Sequence, residues 1–349
     1  MNLFLTGATG FVGAALLQRF VADGVEVKAL VRSESVGLPD GVEKVVGDLG
    51  ALAEAYSTDN SPSPQPPPIK GGGIDGCDVV VHAAARAHIM RDEVADPLAE
   101  YRKVNRDATL VLARLAAQAG VKRFVFVSSV KVNGEGTFSP SPQPSTALGV
   151  SSIPIKGEGV TIFTPDDKFV PTDPYGLSKY EAEQGLLEIA QQTGMEVVII
   201  RPPLVYGPNV KGNFASMVNW VRKGVPLPLG AVRNARSLVA LDNLVDFIAL
   251  CADRQRSPKA ANQVFLISDG VDVSTTELLR KVAKSCGVKS RLWPVPVGVM
   301  RFAARLLGKG AVADRLFGNL QVDSSKAQDL LGWKPVVTMD EALGRMFNS

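Results

Sequence analysis

Three glycines near the start of the chain constrain its fold more than any other feature. Gly7, Gly10 and Gly13 lie between a strand-like run, Asn2–Leu5, and a helical pattern, Phe11–Asp23. In such a turn one glycine allows the tight bend, the next lets backbone approach a diphosphate, and the third lets helix and strand pack closely. The unpaired N–H groups of the following helix attract phosphate. The turn therefore predicts a dinucleotide site, with candidate contacts at Gly7, Thr9, Gly10, Phe11, Val12 and Gly13.

Short β-branched runs alternate with helical patterns through the N-terminal half of the chain. This alternation predicts an α/β fold of right-handed βαβ units around a doubly wound parallel sheet. The predicted strands are Asn2–Leu5, Glu26–Val31, Glu43–Val46, Asp78–His82, Arg123–Ser128, Glu196–Ile200 and, later, Gln263–Ser268. The predicted helices include Phe11–Asp23, Pro97–Ala119, Pro174–Thr193 and Leu241–Ala252. We expect a dinucleotide-binding domain over residues 1–202 and a smaller substrate lobe over 203–349, with 236–268 returning to the first domain.

Two tracts rich in Pro, Gly and Ser interrupt this order, at about residues 60–73 and 139–161. Both contain Ser-Pro-Ser-Pro-Gln-Pro and, further on, Pro-Ile-Lys-Gly. Because such sequences bury little apolar surface, we interpret them as surface insertions, with a Pro-rich docking site as the alternative.

Composition excludes several classes of protein. The formal charge is only +3, and no dense basic run predicts a nucleic-acid partner. The three cysteines form no C-x-x-C pair, and two histidines are too few for a histidine-based metal cluster, so we expect no metal.

No membrane partner is expected from the sequence either. The chain opens directly into its first predicted strand, which argues against a secretory signal and favours a cytoplasmic protein. The most amphipathic stretch, Val297 to Leu307, carries Arg301 and Arg305. A helix packed on the protein surface is favoured there over one lying on a membrane.

A second motif predicts acid/base chemistry. Tyr175 and Lys179 are spaced i, i+4 in a helix whose start is marked by Asp173 and Pro174. A free tyrosine has a pKa near 10, and a neighbouring ammonium lowers it, so the pair predicts a phenol that exchanges a proton with substrate. Ser129, at the end of a predicted strand, would orient the same substrate oxygen, and Ser128 is the alternative.

Two positions bear on the choice of dinucleotide. Arg32 ends the second predicted strand, where a carboxylate would hold the ribose hydroxyls of NAD. An arginine with no acidic residue beside it suits the 2′-phosphate of NADP. The alternative is that Arg32 only covers the face of the adenine ring. Asp48 and Leu49 follow the third strand, where Asp48 would accept from the adenine amino group or serve as an ordinary turn aspartate. The cofactor is therefore NAD or NADP, with Arg32 favouring NADP.

These motifs together resemble those of the extended short-chain dehydrogenase/reductases, in particular the nucleotide-sugar epimerase/dehydratase family and its UDP-glucose 4-epimerase-like members. The resemblance covers nearly the whole chain outside the two insertions. Its segments are T-G-A-T-G-F-V-G at 6–13, G-D-L at 47–49, H-A-A-A at 82–85, Asn105, S-S-V-K-V-N-G at 128–134, Y-G-L-S-K at 175–179, R-P-P-L-V-Y-G-P at 201–208, R-S-L-V-A-L-D at 236–242 and L-G-W-K-P at 331–335.

The resemblance implies a Rossmann-type domain for the cofactor, a small C-terminal lobe for a UDP-sugar, and a homodimer formed through a helix bundle. It adds four cofactor contacts, at His82, Ala83, Ala84 and Asn105, and has Lys179 touch the nicotinamide ribose. Arg236 matches the arginine that holds the substrate diphosphate, with a surface salt bridge as the alternative. Weaker substrate-side candidates are Lys211 and Asn213.

Departures from the family pattern bear on the reaction. Val130 and Lys131 stand where the 4,6-dehydratases carry an acidic pair, so dehydration is not expected. Asn133 replaces a tyrosine that many epimerases carry. The resemblance implies redox chemistry at C4 of a UDP-hexose or UDP-N-acetylhexosamine by an epimerase. The alternatives are an NADPH-dependent 4-keto reductase making a 6-deoxy amino-sugar nucleotide, and a non-catalytic dinucleotide sensor.

Overall fold

The computed structural model describes residues 1–51, 73–86, 96–137, 162–308 and 310–347. Apart from Gly73, both predicted insertions lie outside these residues, so their surface location stays a prediction. His88 also lies outside them.

Seven parallel strands form the central sheet, in the order β3-β2-β1-β4-β5-β6-β9. Their bounds are β1 Asn2–Thr6, β2 Glu26–Val31, β3 Glu43–Val46, β4 Val79–His82, β5 Arg123–Val127, β6 Glu196–Arg201 and β9 Gln263–Leu266. A separate parallel pair joins β7, Leu204–Tyr206, to β8, Leu238–Ala240. The doubly wound α/β sheet predicted from the sequence is confirmed.

Eleven α-helices occur in the described residues. They are α1 Phe11–Ala22, α2 Pro97–Arg102, α3 Ala108–Gln118, α4 Pro174–Thr193, α5 Gly212–Arg222, α6 Leu241–Ala252, α7 Thr275–Ser285, α8 Val297–Leu306, α9 Gly310–Phe317, α10 Ser325–Leu331 and α11 Met339–Phe347. The helix predicted over Pro97–Ala119 is interrupted by a π-helical turn, Lys103–Asp107. None of the described helices is long and apolar enough to cross a membrane.

Alternating residues of the strands build two cores, one on each face of the sheet. Leu3 and Leu5 of β1 belong to the core formed with α1 and α6, whereas Phe4 belongs to the core formed with α3 and α4. This period of two is expected for strands covered by helices on both faces. The carboxyl ends of the strands consequently meet at one edge, where ligands bind in folds of this kind.

A third core belongs to the residues after β6. Tyr206 of β7, Leu238 of β8 and Leu279 of α7 are buried in it together with parts of α5 and α11. Asp269 ties this lobe to the sheet, because it accepts hydrogen bonds from the Tyr206 hydroxyl (2.7 Å) and the Asn243 amide (2.7 Å).

Helix α8 differs from the other helices in its exposure. It packs on the protein surface as predicted, through the partly buried Val297 and Met300, but no residue of the helix is fully buried. Leu306, at its end, is 73% exposed.

Candidate active site

The glycine turn leads from β1 into α1 with little room for side chains on its protein side. Gly7 has φ +75°, and a Cβ there would lie 2.7 Å from the backbone nitrogen of Ala84. A Cβ on Gly13 would lie 1.9 Å from the Gly7 carbonyl oxygen. At Gly10 a Cβ would meet only that same oxygen, at 3.2 Å, and the residue is exposed. The turn is therefore closed toward the protein and open toward solvent at Gly10.

The start of α1 is suited to an anion. Its first N–H groups have no partner within the helix. In the described part of the chain no side chain caps this end, and no acidic residue occupies its first turn. By contrast Asp96, Asp173 and Ser274 cap the starts of α2, α4 and α7. The uncapped N–H groups and the helix dipole can hold a phosphate, so the turn fits the dinucleotide predicted from the sequence.

The end of β2 presents Arg32 to solvent, as an exposed side chain. Asp48, after β3, is also exposed, and its Oδ1 accepts from the backbone N–H of Ala51 (3.0 Å). Asp48 therefore already serves the local turn, which was the alternative to an adenine contact. Its adenine role and the 2′-phosphate role of Arg32 stay predictions.

The side chain of His82 lies in the core. The residue is 1% exposed, its Nδ1 lies 2.6 Å from the Thr6 hydroxyl, and its Nε2 lies 2.9 Å from that of Thr109. The Thr109 hydroxyl donates to the Asn105 carbonyl (2.8 Å), so it accepts from Nε2, and Nδ1 accepts from Thr6. Burial, with a smaller contribution from Lys179, lowers the pKa of His82 to about 3, so the ring is neutral.

The neutral His82 ring thus links Thr6 to Thr109 by hydrogen bonds and has a structural role. Thr6 Oγ1 also accepts from the Ala84 N–H (3.3 Å), which fixes the backbone facing Gly7. A contact between the cofactor and this segment is therefore expected from the backbone of His82, Ala83 and Ala84 rather than from the imidazole.

Asn105 also orients backbone near the site. It lies in the π-helical turn with 0% exposure, and its Oδ1 accepts from the Arg86 N–H (2.9 Å). Its amide donates to the Ser178 hydroxyl (3.1 Å), which in turn donates to the Tyr175 carbonyl (2.8 Å). The amide group of Asn105 is thus engaged by the protein and holds the start of α4, and its predicted contact with the cofactor is not tested here.

Tyr175 and Ser129 come together as predicted from the sequence. The Ser129 hydroxyl lies close enough to the phenol to lower its pKa. The end of β5 is fixed for this contact by bonds from the Ser128 N–H to Ile200 O (2.8 Å) and from the Val130 N–H to Pro202 O (3.0 Å).

The pKa of Tyr175 differs from the expectation. Burial raises it to about 12, and the nearby Ser129 hydroxyl, which favours phenolate, offsets only part of this rise. The prediction that Lys179 lowers the pKa of the phenol is therefore wrong for the protein alone. The physical reason is that the Lys179 ammonium donates to the Val127 carbonyl (3.0 Å) and lies 4.4 Å from the centre of the Phe126 ring. Tyr175 is protonated at neutral pH.

Lys179 itself is held in an unfavourable environment for a cation. It is 1% exposed, and burial lowers its pKa to about 7, with Glu183 acting in the opposite direction. Tyr175 and Lys179 do share one face of α4, as their spacing predicted. The structure thus places two titratable groups with displaced pKa values near the strand ends, which is typical of active sites.

A buried hydrogen-bond network that the sequence did not predict indicates which of Ser128 and Ser129 is free to contact substrate. Ser128 donates to Glu183 Oε1 (2.5 Å), and the same carboxylate receives three hydrogen bonds from Arg201 at 2.5 to 3.2 Å. Arg201 also donates to the Asn133 side chain (3.1 Å). Ser128 is thus committed to the core, which leaves Ser129 for substrate. The sequence signal was a charged residue, Glu183, on the apolar face of α4.

Lys131 brings a cation close to the phenol. Its Nζ lies 5.7 Å from the centre of the Tyr175 ring and donates to Asp173 Oδ1 (3.1 Å). Asp173 Oδ1 also accepts from the Gly176 N–H (3.1 Å) and so caps α4, as predicted. The expectation that dehydration is absent stays a prediction.

The second lobe supplies Arg236. Its Nη1 donates to the carbonyls of Arg315 (2.6 Å) and Gly318 (3.4 Å), and burial lowers its pKa. Among the described residues no carboxylate pairs with it, which argues against the alternative of a surface salt bridge. A guanidinium lacking a carboxylate partner suits a diphosphate.

The remaining substrate-side candidates lie at the start of α5. Lys211 precedes the helix and is exposed, and Asn213 lies in its first turn. Their predicted contacts with substrate are not tested by the structure.

Comparison with known proteins agrees with this geometry. The model of the NAD dependent epimerase/dehydratase family matches residues 3–267. The chain belongs to this family. A Vibrio cholerae UDP-glucose 4-epimerase is 45% identical over 97% of this chain and 92% of its own length.

Solved structures of the epimerase/dehydratase family share the fold. A Thermotoga maritima UDP-glucose 4-epimerase, solved with UDP-glucose, superposes with a TM-score of 0.66 at 22% identity, covering 100% of this chain and 98% of that chain. A Thermus thermophilus UDP-glucose 4-epimerase, solved with NAD, gives the same TM-score, identity and coverage. The family assignment and the enzyme class inferred from the sequence are therefore confirmed: the chain is an NAD-dependent enzyme of the epimerase/dehydratase family.

Proposed function

We propose that this enzyme is a nucleotide-sugar 4-epimerase acting on a UDP-hexose or UDP-N-acetylhexosamine. The observation that carries the proposal is the neighbouring pair of Ser129 and Tyr175 at the same edge of the sheet as the uncapped start of α1. The 45% identity to the Vibrio cholerae UDP-glucose 4-epimerase supports the reaction and the UDP-sugar class.

The dinucleotide would bind on the glycine turn, with its diphosphate at the N–H groups of Phe11 and Val12. When bound it supplies the acceptor and donor of the C4 hydride. Arg32 offers a cation for a 2′-phosphate, whereas the Thermus thermophilus neighbour was solved with NAD. We propose that the chain accepts NADP as well as NAD. Titration of both dinucleotides should show that Arg32→Glu weakens NADP binding about tenfold or more and leaves NAD binding nearly unchanged.

The protein residues manage the proton at the C4 oxygen of the sugar. Ser129 donates to this oxygen and orients it. For oxidation Tyr175 first releases its own proton to solvent, and the phenolate then takes the proton of the C4 hydroxyl and returns it during reduction. The raised pKa of Tyr175, about 12, means that the phenol holds its proton in the resting enzyme. Lys179, which is buried and donates to Val127 O, is proposed to contact the nicotinamide ribose.

Arg236 would hold the diphosphate of the substrate. Its guanidinium faces no carboxylate in the described part of the chain, so an anionic ligand gains the full charge interaction. Lys211 and Asn213, at the start of α5, are proposed as further substrate contacts. A homodimer and a cytoplasmic location complete the proposal, the first checked by light scattering and the second by fractionation of cells.

A 4-keto reductase is the second candidate, and two observations favour it. A resting phenol that carries its proton is ready to protonate a keto oxygen, and Arg32 suits NADPH. The third possibility, a sensor without turnover, is disfavoured because the Tyr175 and Lys179 pair is intact.

One assay separates these functions. Purified protein is incubated with UDP-glucose, UDP-N-acetylglucosamine and a UDP-4-keto-6-deoxyhexosamine, each with and without NADPH. Interconversion of 4-epimers without net loss of reduced cofactor supports the epimerase. Consumption of NADPH in proportion to the keto sugar alone supports the reductase, and no conversion of any sugar supports the sensor.

A further inference from the structure

A pair of short helices exposes large apolar side chains away from the protein. We call residues 293–317, which contain α8 and α9, the apolar hairpin. Phe302 is 66% exposed and Leu306 73% exposed in α8. The same holds for Trp293 (64%), Val299 (58%), Leu307 (73%) and Val312 (61%). Large exposed apolar patches of this kind mark interaction surfaces rather than ordinary protein surface.

The exposed side chains share one face of α8. Val299, Phe302 and Leu306 follow the spacing i, i+3, i+7 and therefore lie along one side of the helix. Val297 and Met300 lie on the opposite side, where they pack against the core of the second lobe. The helix is thus apolar on two sides, and within the part of the chain that the structure describes only one of them is covered.

The charge around this face is strongly positive. Residues 289–317 contain six Lys and Arg residues and one acid, a net charge of +5, whereas the whole chain carries +3. The other residues together are therefore slightly acidic. Arg301 and Arg305 follow the exposed face along one flank, and Arg301 lies 3.6 Å from Asp314.

We propose that the apolar hairpin docks the enzyme on an anionic lipid surface. Apolar side chains flanked by cations are the features by which helices bind at the interface of an anionic bilayer. A second copy of the chain fits less well, because a symmetric contact would bring together two hairpins that each carry a net charge of +3. The proposal revises the expectation that a membrane is not a partner, and it does not depend on the proposed epimerase reaction.

Docking would place the substrate lobe beside the membrane. The Arg315 carbonyl, in α9, accepts from the Arg236 side chain, so the hairpin is bonded directly to the candidate diphosphate-binding residue. Substrate would then enter and leave close to the lipid surface.

Vesicle flotation tests the docking. The full-length protein is mixed with vesicles of phosphatidylcholine, alone or with phosphatidylglycerol, and the floated fraction is measured at low and high salt. The wild type should float with the anionic vesicles and less so at high salt. The double variant Phe302→Ser/Leu306→Ser should float about tenfold less or weaker still, because it removes two large apolar anchors.

Two further variants sharpen the result. Val271→Ser/Val336→Ser is the matched control, since these residues are 63% and 56% exposed and lie outside the hairpin. It should float like the wild type. Arg305→Glu keeps the apolar face and reverses one charge, so it should weaken flotation only with anionic vesicles. Both hairpin variants should keep wild-type turnover of soluble substrate.

Three outcomes would overturn the proposal. One is a wild type that does not float with anionic vesicles at low salt, and another is a Phe302→Ser/Leu306→Ser variant that floats as well as the wild type. The third is a wild type that does not float but is dimeric and becomes monomeric in that variant, because a second copy then covers the hairpin.

Discussion

Two buried cations at opposite edges of the sheet, Arg123 and Lys179, are held in different ways. At the amino edge Arg123 is 0% exposed and donates to Glu196 (2.8 Å), to the Ser257 hydroxyl (2.9 Å) and to two backbone carbonyls. At the carboxyl edge Lys179 is equally buried, yet among the described residues its one hydrogen bond goes to Val127 O. The nearest carboxylate, Glu183, is engaged by Arg201.

The difference separates stability from function. Arg123 has partners that replace the water it loses, as buried charges in stable structures require. Lys179 has too few partners, and its pKa falls to about 7 while that of Tyr175 rises to about 12. Proteins retain such unfavourable groups where chemistry needs them. The Tyr175–Lys179 pair is therefore expected to lose activity on mutation and Arg123 to lose stability.

The largest expected effect is on turnover at the carboxyl edge. Tyr175→Phe should lower kcat about 10³-fold, or about 4 kcal/mol on the barrier, because the proton donor is lost. Stability should change by less than about 1 kcal/mol, since the edge contact with the Tyr101 ring stays. Steady-state kinetics and thermal unfolding measure the two quantities. Tyr180→Phe on the same helix is the control, and a Tyr175→Phe enzyme with a tenth of normal kcat would contradict the assignment.

Features that depend on local sequence were predictable. The alternation of strand and helix patterns predicted the parallel sheet, and the glycine spacing predicted the turn. The spacing of Tyr175 and Lys179 predicted that they share one face of a helix. Each rests on residues within a few positions of one another.

Features that depend on tertiary contacts were not predictable. The pKa of Tyr175 is set by burial under other elements, and Ser128 is removed from the site by Glu183, 55 residues later. The π-helical turn that points Asn105 at Ser178 has no signal in the helical pattern. The exposure of α8 escaped the sequence because an apolar face has the same pattern whether or not it is covered.

The next effect is on stability at the amino edge. Arg123→Met should lower the free energy of unfolding by about 3 kcal/mol, because two carbonyls and the Ser257 hydroxyl lose their buried donor. Urea unfolding measures the loss. Arg254→Met is the matched control: it bonds the same Glu196 from an exposed position and should cost less than about 1 kcal/mol. Equal losses in the two variants would remove the contrast between the edges.

A smaller effect with the opposite sign is expected for Lys179→Met. The folded-state pKa of Lys179, about 7, lies below its unfolded value, so between these two values the unfolded state binds more protons. The cost of burying the ammonium is therefore complete below pH 7 and disappears as the pH rises toward the unfolded pKa. Without added dinucleotide, Lys179→Met should be more stable than wild type by roughly 1–3 kcal/mol at pH 7.

This advantage of Lys179→Met should shrink toward pH 10. Cys77 and Cys251 titrate in both proteins, so their contribution cancels in the difference. Urea unfolding at several pH values gives that difference directly. The prediction fails if the difference in the free energy of unfolding between the two proteins does not change with pH, or if the variant is less stable than wild type at pH 7. Either result would show that burying the charged lysine does not destabilise the folded protein. Turnover should fall in the variant at every pH.

The smallest expected effect concerns the starts of two helices, each of which is capped by a side-chain oxygen. Asp173 caps α4 and Ser274 caps α7, each through a side-chain oxygen that accepts a hydrogen bond from a backbone N–H of the first turn. Asp173→Ala and Ser274→Ala should each cost about 1 kcal/mol of stability. Only Asp173→Ala should also lower kcat, because Asp173 holds Lys131 and begins the helix that carries Tyr175. If both variants kept normal kcat, the first turn of α4 could fray without moving the Tyr175 phenol. The position of the phenol would then depend on Ser129 and Asn105 instead.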